Sequence, residues 1–340
     1  MAPTRVQYVA ESRPQTIPLE FVRPVEERPI NTTFNDDIGL GRQIPVIDMC
    51  SLEAPELRVK TFKEIARASK EWGIFQVINH AISPLLFESL ETVGKQFFQL
   101  PQEEKEAYAC TGEDGSSTGY GTKLACTTDG RQGWSDFFFH MLWPPSLRDF
   151  SKWPQKPSSY IEVTEEYSKG ILGVLNKLLS ALSISLELQE SALKDALGGE
   201  NLEMELKINY YPTCPQPEVA FGVVPHTDMS ALTILKPNDV PGLQVWKDEK
   251  WITAHYVPNA LIIHIGDQIQ ILSNGKFKSV LHRSLVNKEK VRMSWPVFCS
   301  PPLDTVIGPL KELIDDSNPP LYNARTYREY KHRKINKLGQ

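Results

Sequence analysis

The run Leu206-Lys207-Ile208-Asn209-Tyr210-Tyr211 opens the part of the chain whose reading decides the fold. Similar short runs recur at 223–228, 231–237, 243–246, 251–255, 260–265, 279–283 and 292–299, rich in β-branched and aromatic residues and parted by Gly, Pro, Asn and Asp. Strands this short at this spacing point to a double-sheet jelly roll, the double-stranded β-helix. Within that region Ser273-Asn274-Gly275-Lys276 carries the Asn-Gly signal of a tight hairpin.

Upstream the hydrophobic period changes. Residues 54–71 place Val59, Phe62, Ile65 and Ala66 at helical spacing, and Trp72-Gly73 ends the run. Helices are expected over 83–98 and 101–107, where Pro101 suits a first turn and Glu103 and Glu104 its positive end. Ser159 with Glu162 reads as a capping box opening a long helix whose stripe is Val163, Tyr167, Ile171, Val174, Leu178 and Leu182. A short helix over 189–197 stops at Gly198-Gly199. Strands are expected at 44–48, 74–78 and 134–143; the last puts Phe137, Phe139 and Met141 on one face, Phe138 and His140 on the other. Residues 111–133 read as a hairpin or loop and lack the Lys-Ser/Thr ending of a phosphate loop. Residues 1–42 hold prolines at 3, 14, 18, 24 and 29 and read as an arm of extended chain, short helix and turns. The basic run 325–338 is helix-prone, and a solvated surface helix and a cover over a cavity mouth fit it equally. The fold class is therefore α+β: a mostly helical region 1–200 packed on a jelly-roll core 201–305, with a helical tail 306–340, as one integrated unit.

The same core holds a set of chemistry-bearing residues. In Pro225-His226-Thr227-Asp228, His226 and Asp228 lie two apart and would share one face of an extended strand. His282 is far enough downstream to sit on another strand of the same sheet. Two imidazoles and one carboxylate make a facial ligand set that leaves about half of an octahedral iron open. Arg292 and Ser294 again share a strand face, and a guanidinium fork beside a hydroxyl suits a carboxylate. A lone His-x-Asp is weak, because both residues are common on turns and surfaces; the ordered series gives it weight. His140, His255, His264 and His332 compete for the ligand role, but none has an Asp two residues on, and His255 and His264 read as satisfied core histidines.

With Trp72-Gly73-Ile74-Phe75-Gln76-Val77-Ile78-Asn79-His80, Gly119-Tyr120-Gly121-Thr122-Lys123-Leu124, Leu206 to Pro212, His226-Thr227-Asp228-Met229-Ser230, Ile265-Gly266-Asp267 and Val280-Leu281-His282-Arg283, the chain from Ile44 to Leu338 resembles the plant Fe(II)/2-oxoglutarate-dependent dioxygenases, flavonol synthase and anthocyanidin synthase (leucoanthocyanidin dioxygenase) most closely. The resemblance implies Fe(II) on His226, Asp228 and His282, 2-oxoglutarate and dioxygen as co-substrates, and ascorbate as a helpful addition. It implies that Arg292 and Ser294 meet the far carboxylate of 2-oxoglutarate, with Asn209 and Tyr211 helping to hold it. Succinate and carbon dioxide would leave while a plant specialised metabolite is hydroxylated or desaturated. Phe139 and Phe298 match positions that stack on flat rings, and Lys207 matches a lysine that approaches the substrate. Phe137 stands where the flavonoid enzymes carry His or Tyr, and Ser300 where they carry Glu. Both changes remove partners for ring hydroxyls, so dihydroflavonol turnover should be poor. A flavonoid substrate is favoured, with an alkaloid or another specialised metabolite as the alternative. The family's Asn-His-Gly is here Asn79-His80-Ala81, which suggests that position 81 needs no positive φ and that His80 is structural.

Composition sets limits. The 340 residues carry a net charge of −5, which gives no electrostatic reason to expect nucleic acid or an anionic membrane. Five cysteines, at 50, 110, 126, 214 and 299, form no Cys-x-x-Cys pair and fit a reducing compartment. No signal-peptide h-region and no membrane-length apolar run is visible, so a cytoplasmic monomer acting on a small molecule is expected and the Asn31-Thr32-Thr33 sequon is irrelevant. A zinc hydrolase could use the triad, but it needs a nearby general base and has no need of Arg292. A non-catalytic jelly-roll binder would leave both triad and clamp unexplained.

Overall fold

A computed structural model describes residues 5–29, 43–110, 118–122 and 131–338. The sequon, Lys123-Leu124, Cys126 and most of the 111–133 stretch lie outside the described residues. Helix α1 (Val6–Glu11) precedes strand β1 (Val46–Asp48), helix α2 (Pro55–Glu71) and strand β2 (Ile74–Ile78). Helices α3 (Pro84–Gln99) and α4 (Gln102–Glu106) lead to strands β3 (Gly119–Gly121) and β4 (Asp136–Trp143). Helices α5 (Tyr160–Ser185) and α6 (Ala192–Ala196) follow. The strand-rich half contains β5 (Glu203–Tyr211), β6 (Val223–His226), β7 (Leu232–Pro237), β8 (Leu243–Lys247), β9 (Lys250–Thr253) and β10 (Leu261–Ile265). A short helix α7 (Asp267–Leu272), strands β11 (His282–Ser284) and β12 (Arg292–Ser300), and helix α8 (Tyr327–Ile335) complete it.

Apart from a two-stranded ladder that pairs Val306 and Ile307 with Thr326 and Arg325 in the expected helical tail, the strands form a jelly-roll pair of sheets. The major sheet runs β1-β2-β10-β7-β12-β5-β4-β3, and the minor one β6-β11-β8-β9. Only β1 and β2 pair in parallel within them. Strict alternation gives each face of the major sheet its own job. Leu206, Ile208, Phe138, Ile234, Ile263 and Val297 point into the large core shared with α2, α3 and α5. Leu235 and Ile262 point the other way and pack with Leu243, Val245 and Ile252 of the minor sheet. Phe138 and His140 lie on the helix side, as their parity required; His140 Nε2 lies 2.9 Å from the Tyr160 hydroxyl. Strands β1 to β4 come from the helical region, so that region completes the sheet that the core begins.

Four expectations need correcting. Val59 is 62% exposed; the buried face of α2 is Thr61, Ile65, Ala68 and Ser69, a stripe rotated off the expected one, with Phe62 and Ala66 on its flank. The Ser159 capping box does not form, because Ser159 itself takes helical angles (φ −82°, ψ 0°) and its side chain bonds no helical N–H. Asn274-Gly275 makes no hairpin. It ends α7: both residues have positive φ, and Gly275 N donates to Gln270 O at 2.8 Å. The preference for left-handed backbone was correctly read, but it serves a helix terminus. Ala81 does have a positive φ, +69°, beside Asn79 at +53°. The reversal between β2 and α3 imposes it. His80 pins that turn, its Nε2 2.8 Å from Asn259 O and its Nδ1 accepting from Ile82 N at 3.2 Å, which is the structural role expected of it.

Candidate active site

An open-sided cavity lies between the two sheets. Its minor-sheet wall carries two imidazoles. His226 ends β6 and His282 begins β11, and the two are directly paired across the strands with ring centroids 4.2 Å apart. Asp228 follows in the connection from β6 to β7, just past the strand that was expected to hold it. His226 Nδ1 lies 2.8 Å from Val224 O and His282 Nδ1 3.1 Å from Val280 O. Each Nδ1–H therefore donates to backbone, which leaves each Nε2 with a lone pair aimed inward. The two Nε2 atoms lie 3.4 and 3.7 Å from Asp228 Oδ1, and one donor atom from each of the three residues falls within 4.8 Å of the others. Burial opposes the charge on Asp228, but His282, His226 and His264 together hold it well below the usual carboxylate range. Burial and the neighbouring His226 keep the His282 imidazole well below its ordinary value. A carboxylate and two imidazoles whose Nε2 atoms converge are the donor set that a divalent metal takes.

The major-sheet wall is a ladder of cross-strand rungs. Tyr211 pairs with Arg292, and Asn209 with Phe137 on one side and Ser294 on the other. The next rungs set Phe139 beside Lys207, then Met141 beside Glu205 and Phe298, then Glu203 beside Ser300. Arg292 is 1% exposed, stacked 4.7 Å from the Tyr211 ring, with its Nη2 3.5 Å from the Tyr256 hydroxyl. Its Nε and Nη1 have no hydrogen-bond acceptor among the described residues. A buried guanidinium short of acceptors is costly unless an anion completes it. A Cβ at Gly242 would come 2.7 Å from Arg292 Cδ, so only glycine leaves space for that side chain. Asn209 Nδ2 donates to Ser294 Oγ at 3.3 Å.

All the residues expected at the metal and carboxylate positions thus meet in one cavity. Of the expected substrate contacts, Lys207 and Phe298 line it. The Phe139 ring lies 6.5 Å from that of Phe298, tilted by 49°. Phe137 lies beneath the Lys207 ammonium, 4.8 Å away, and burial pushes that amine down to about 8. Ser300 is buried and its hydroxyl accepts from Tyr327 of α8 at 3.1 Å. Sequence reasoning missed Tyr256 and Gly242, which no local pattern marks. It also read His264 as a satisfied core residue. Its Nδ1 lies 3.2 Å from Asp228 Oδ2, while its Nε2 lacks a partner among the described residues. The adjoining Ile265-Gly266-Asp267 was the available signal. Buried Cys214 and Cys299 are no nucleophiles, since burial raises both thiols, that of Cys214 to about 12.

Residues 202–301 match the 2OG-Fe(II) oxygenase superfamily, and residues 44–156 match the family described as non-haem dioxygenase in morphine synthesis N-terminal. The chain belongs to the 2OG-Fe(II) oxygenase superfamily. This oxygenase is 50% identical over 338 residues to flavonol synthase 1 of Crocosmia x crocosmiiflora, with 99% of each chain covered. It is 45% identical to the leucoanthocyanidin dioxygenase of Malus domestica, covering 99% of this chain and 96% of that one. A crystal structure of JOX2 in complex with 2OG, Fe and JA superposes with a TM-score of 0.90 at 38% identity, covering 100% of this chain and 96% of the other. The oxygenase is a 2-oxoglutarate-dependent dioxygenase, and its family works with Fe(II) and 2-oxoglutarate. Among the described residues no helix is long and apolar enough to cross a membrane.

Proposed function

We propose that this dioxygenase oxidises a flavonoid, with Fe(II) on His226, Asp228 and His282 and the far carboxylate of 2-oxoglutarate on Arg292 and Ser294. The observation that carries the reading is the buried Arg292, with two nitrogens that have no acceptor among the described residues, on the wall of the cavity that holds the convergent triad. Iron(II) bound there would supply oxygen activation, coupled to decarboxylation of 2-oxoglutarate to succinate and carbon dioxide. The chain's own share is placement. Val224 and Val280 carbonyls fix the two imidazoles in the tautomer that offers Nε2. Arg292, held by Tyr211 and Tyr256, sets the depth at which the dicarboxylate stops, and Asn209 orients the Ser294 hydroxyl beside it. Further along the ladder Lys207, Phe139 and Phe298 would hold the organic substrate. The three segments 1–200, 201–305 and 306–340 act as one unit in this reading, as a cytoplasmic monomer, with ascorbate helping to sustain turnover.

The test is succinate release by the purified chain with Fe(II), 2-oxoglutarate and a panel of flavanones, dihydroflavonols and non-flavonoid ring compounds. Release that depends on iron and is stimulated by flavonoids supports the reading. Arg292→Lys should raise the 2-oxoglutarate KM about tenfold or more, because an ammonium cannot replace the bidentate fork. Stimulation by non-flavonoids alone would overturn the substrate class, and full turnover by His226→Ala would overturn the ligand set.

A further inference from the structure

We infer that Glu205 is a specificity-determining residue that accepts a hydrogen bond from a phenolic hydroxyl of the organic substrate. This rests on the flavonoid class proposed above. Three observations on β5 and its neighbours carry it. First, Glu205 shares a strand face with Lys207, Asn209 and Tyr211, all of which line the cavity, and it pairs across the strands with Phe298, which lines it too. It therefore stands on the rung beyond Lys207, on the side away from Arg292. Second, its carboxyl group makes no hydrogen bond or ion pair among the described residues, although it is only partly accessible. Burial raises its carboxyl, with Lys331 of α8 opposing the rise and the neighbouring Glu203 adding to it. An enclosed acceptor short of donors is what a substrate hydroxyl would complete.

Third, the neighbouring groups select the donor. Phe298 and Phe139 supply flat apolar walls for an aromatic ring at this level. Lys207 stands one strand repeat away, about 7 Å along β5. A cationic amine on Glu205 would face that ammonium, whereas a neutral hydroxyl would not. The arrangement also changes the meaning of Ser300. The serine hydroxyl is engaged with Tyr327, so it offers the substrate little, while an acidic side chain stands on the adjacent strand at 205. The polar partner missing at position 300 is thus supplied from β5.

The experiment uses the full chain loaded with Mn(II) and 2-oxoglutarate, and measures binding by calorimetry for a hydroxylated flavanone and for the parent flavanone without hydroxyls. The unchanged chain should prefer the hydroxylated compound. Glu205→Leu should weaken its binding about tenfold and leave the parent within about twofold, as loss of one buried hydrogen bond requires. Glu205→Gln, which keeps an acceptor oxygen, should fall between the two and controls for folding. Equal losses for both compounds, or no loss, would overturn the role of Glu205 and leave the flavonoid reading standing. Binding of neither compound by the unchanged chain would overturn both. An amine-bearing ring compound that binds more tightly than the phenol, and depends on Glu205, would overturn the choice of a phenol.

Discussion

Asp228 is engaged by histidines on both of its carboxylate oxygens. Its Oδ1 faces the His226 and His282 Nε2 atoms, and its Oδ2 takes the Nδ1–H of His264 at 3.2 Å. One oxygen is left for a metal while the other is tethered, which fixes the carboxylate's rotation. Residues that orient a ligand in this way typically govern metal affinity by about 10- to 100-fold. His264→Leu is therefore expected to weaken Co(II) binding by about that factor, read from the visible absorption of the cobalt-loaded chain. His264→Asn, whose amide can still donate to Oδ2, should recover most of it. Equal affinity in the leucine variant would mean that the tether does not matter. At this scale the sequence was legible where residues two apart on a strand shared a face, as for Asn209 and Tyr211 or Arg292 and Ser294. It was not legible for His264 and Tyr256, because each meets its partner through the packing of separate strands.

Helix α8 shows what an element adds to those side chains. Thr326 caps its start by accepting from Glu329 N at 3.2 Å. Tyr327 reaches Ser300 at the far end of the ladder, and Tyr330 donates to Asp267 Oδ2 at 2.7 Å. Lys334 donates to the same carboxylate oxygen and to Thr227, the residue between His226 and Asp228. Asp267 N in turn donates to Asp228 O at 2.9 Å. The helix is thus tied to the loop that carries Asp228, and we propose that it covers the cavity mouth. Lys334→Met is expected to raise the KM for the organic substrate severalfold and to increase succinate released per product. The 2-oxoglutarate KM should hardly move, because Arg292 lies at the other end of the ladder. Partial exposure of Lys334 keeps the stability loss to about 1 kcal/mol, which a denaturant midpoint would check. Unchanged coupling would make α8 a surface helix. The basic composition of 325–338 announced the helix but not its partners, just as Asn274-Gly275 announced left-handed backbone but not whether a hairpin or a helix end would use it. Local propensity sets φ and period; the neighbouring element decides what they are for.

Across the whole molecule, the donor set exists only when the fold does. His226 and His282 are brought into register by β6 and β11, and the minor sheet is positioned by an inter-sheet core in which Leu235 and Ile262 meet Leu243, Val245 and Ile252. An unfolded chain holds no such convergence, so a metal that binds the native site must stabilise it by mass action. At a free Mn(II) concentration near 100 times its Kd the gain is about 2.7 kcal/mol. With an unfolding entropy of about 2.1 cal/mol/K per residue, that raises the melting temperature by about 4 °C in a chain of this length. Scanning calorimetry with Mn(II), followed by a chelator, should show the rise and its reversal. His282→Ala should abolish the metal-dependent increment whatever its effect on the metal-free chain. Adding 2-oxoglutarate should extend the increment in the unchanged chain and much less in Arg292→Lys, since the clamp and the triad share one cavity. A melting temperature indifferent to Mn(II) would show that the three side chains, however well converged, do not act as a metal centre.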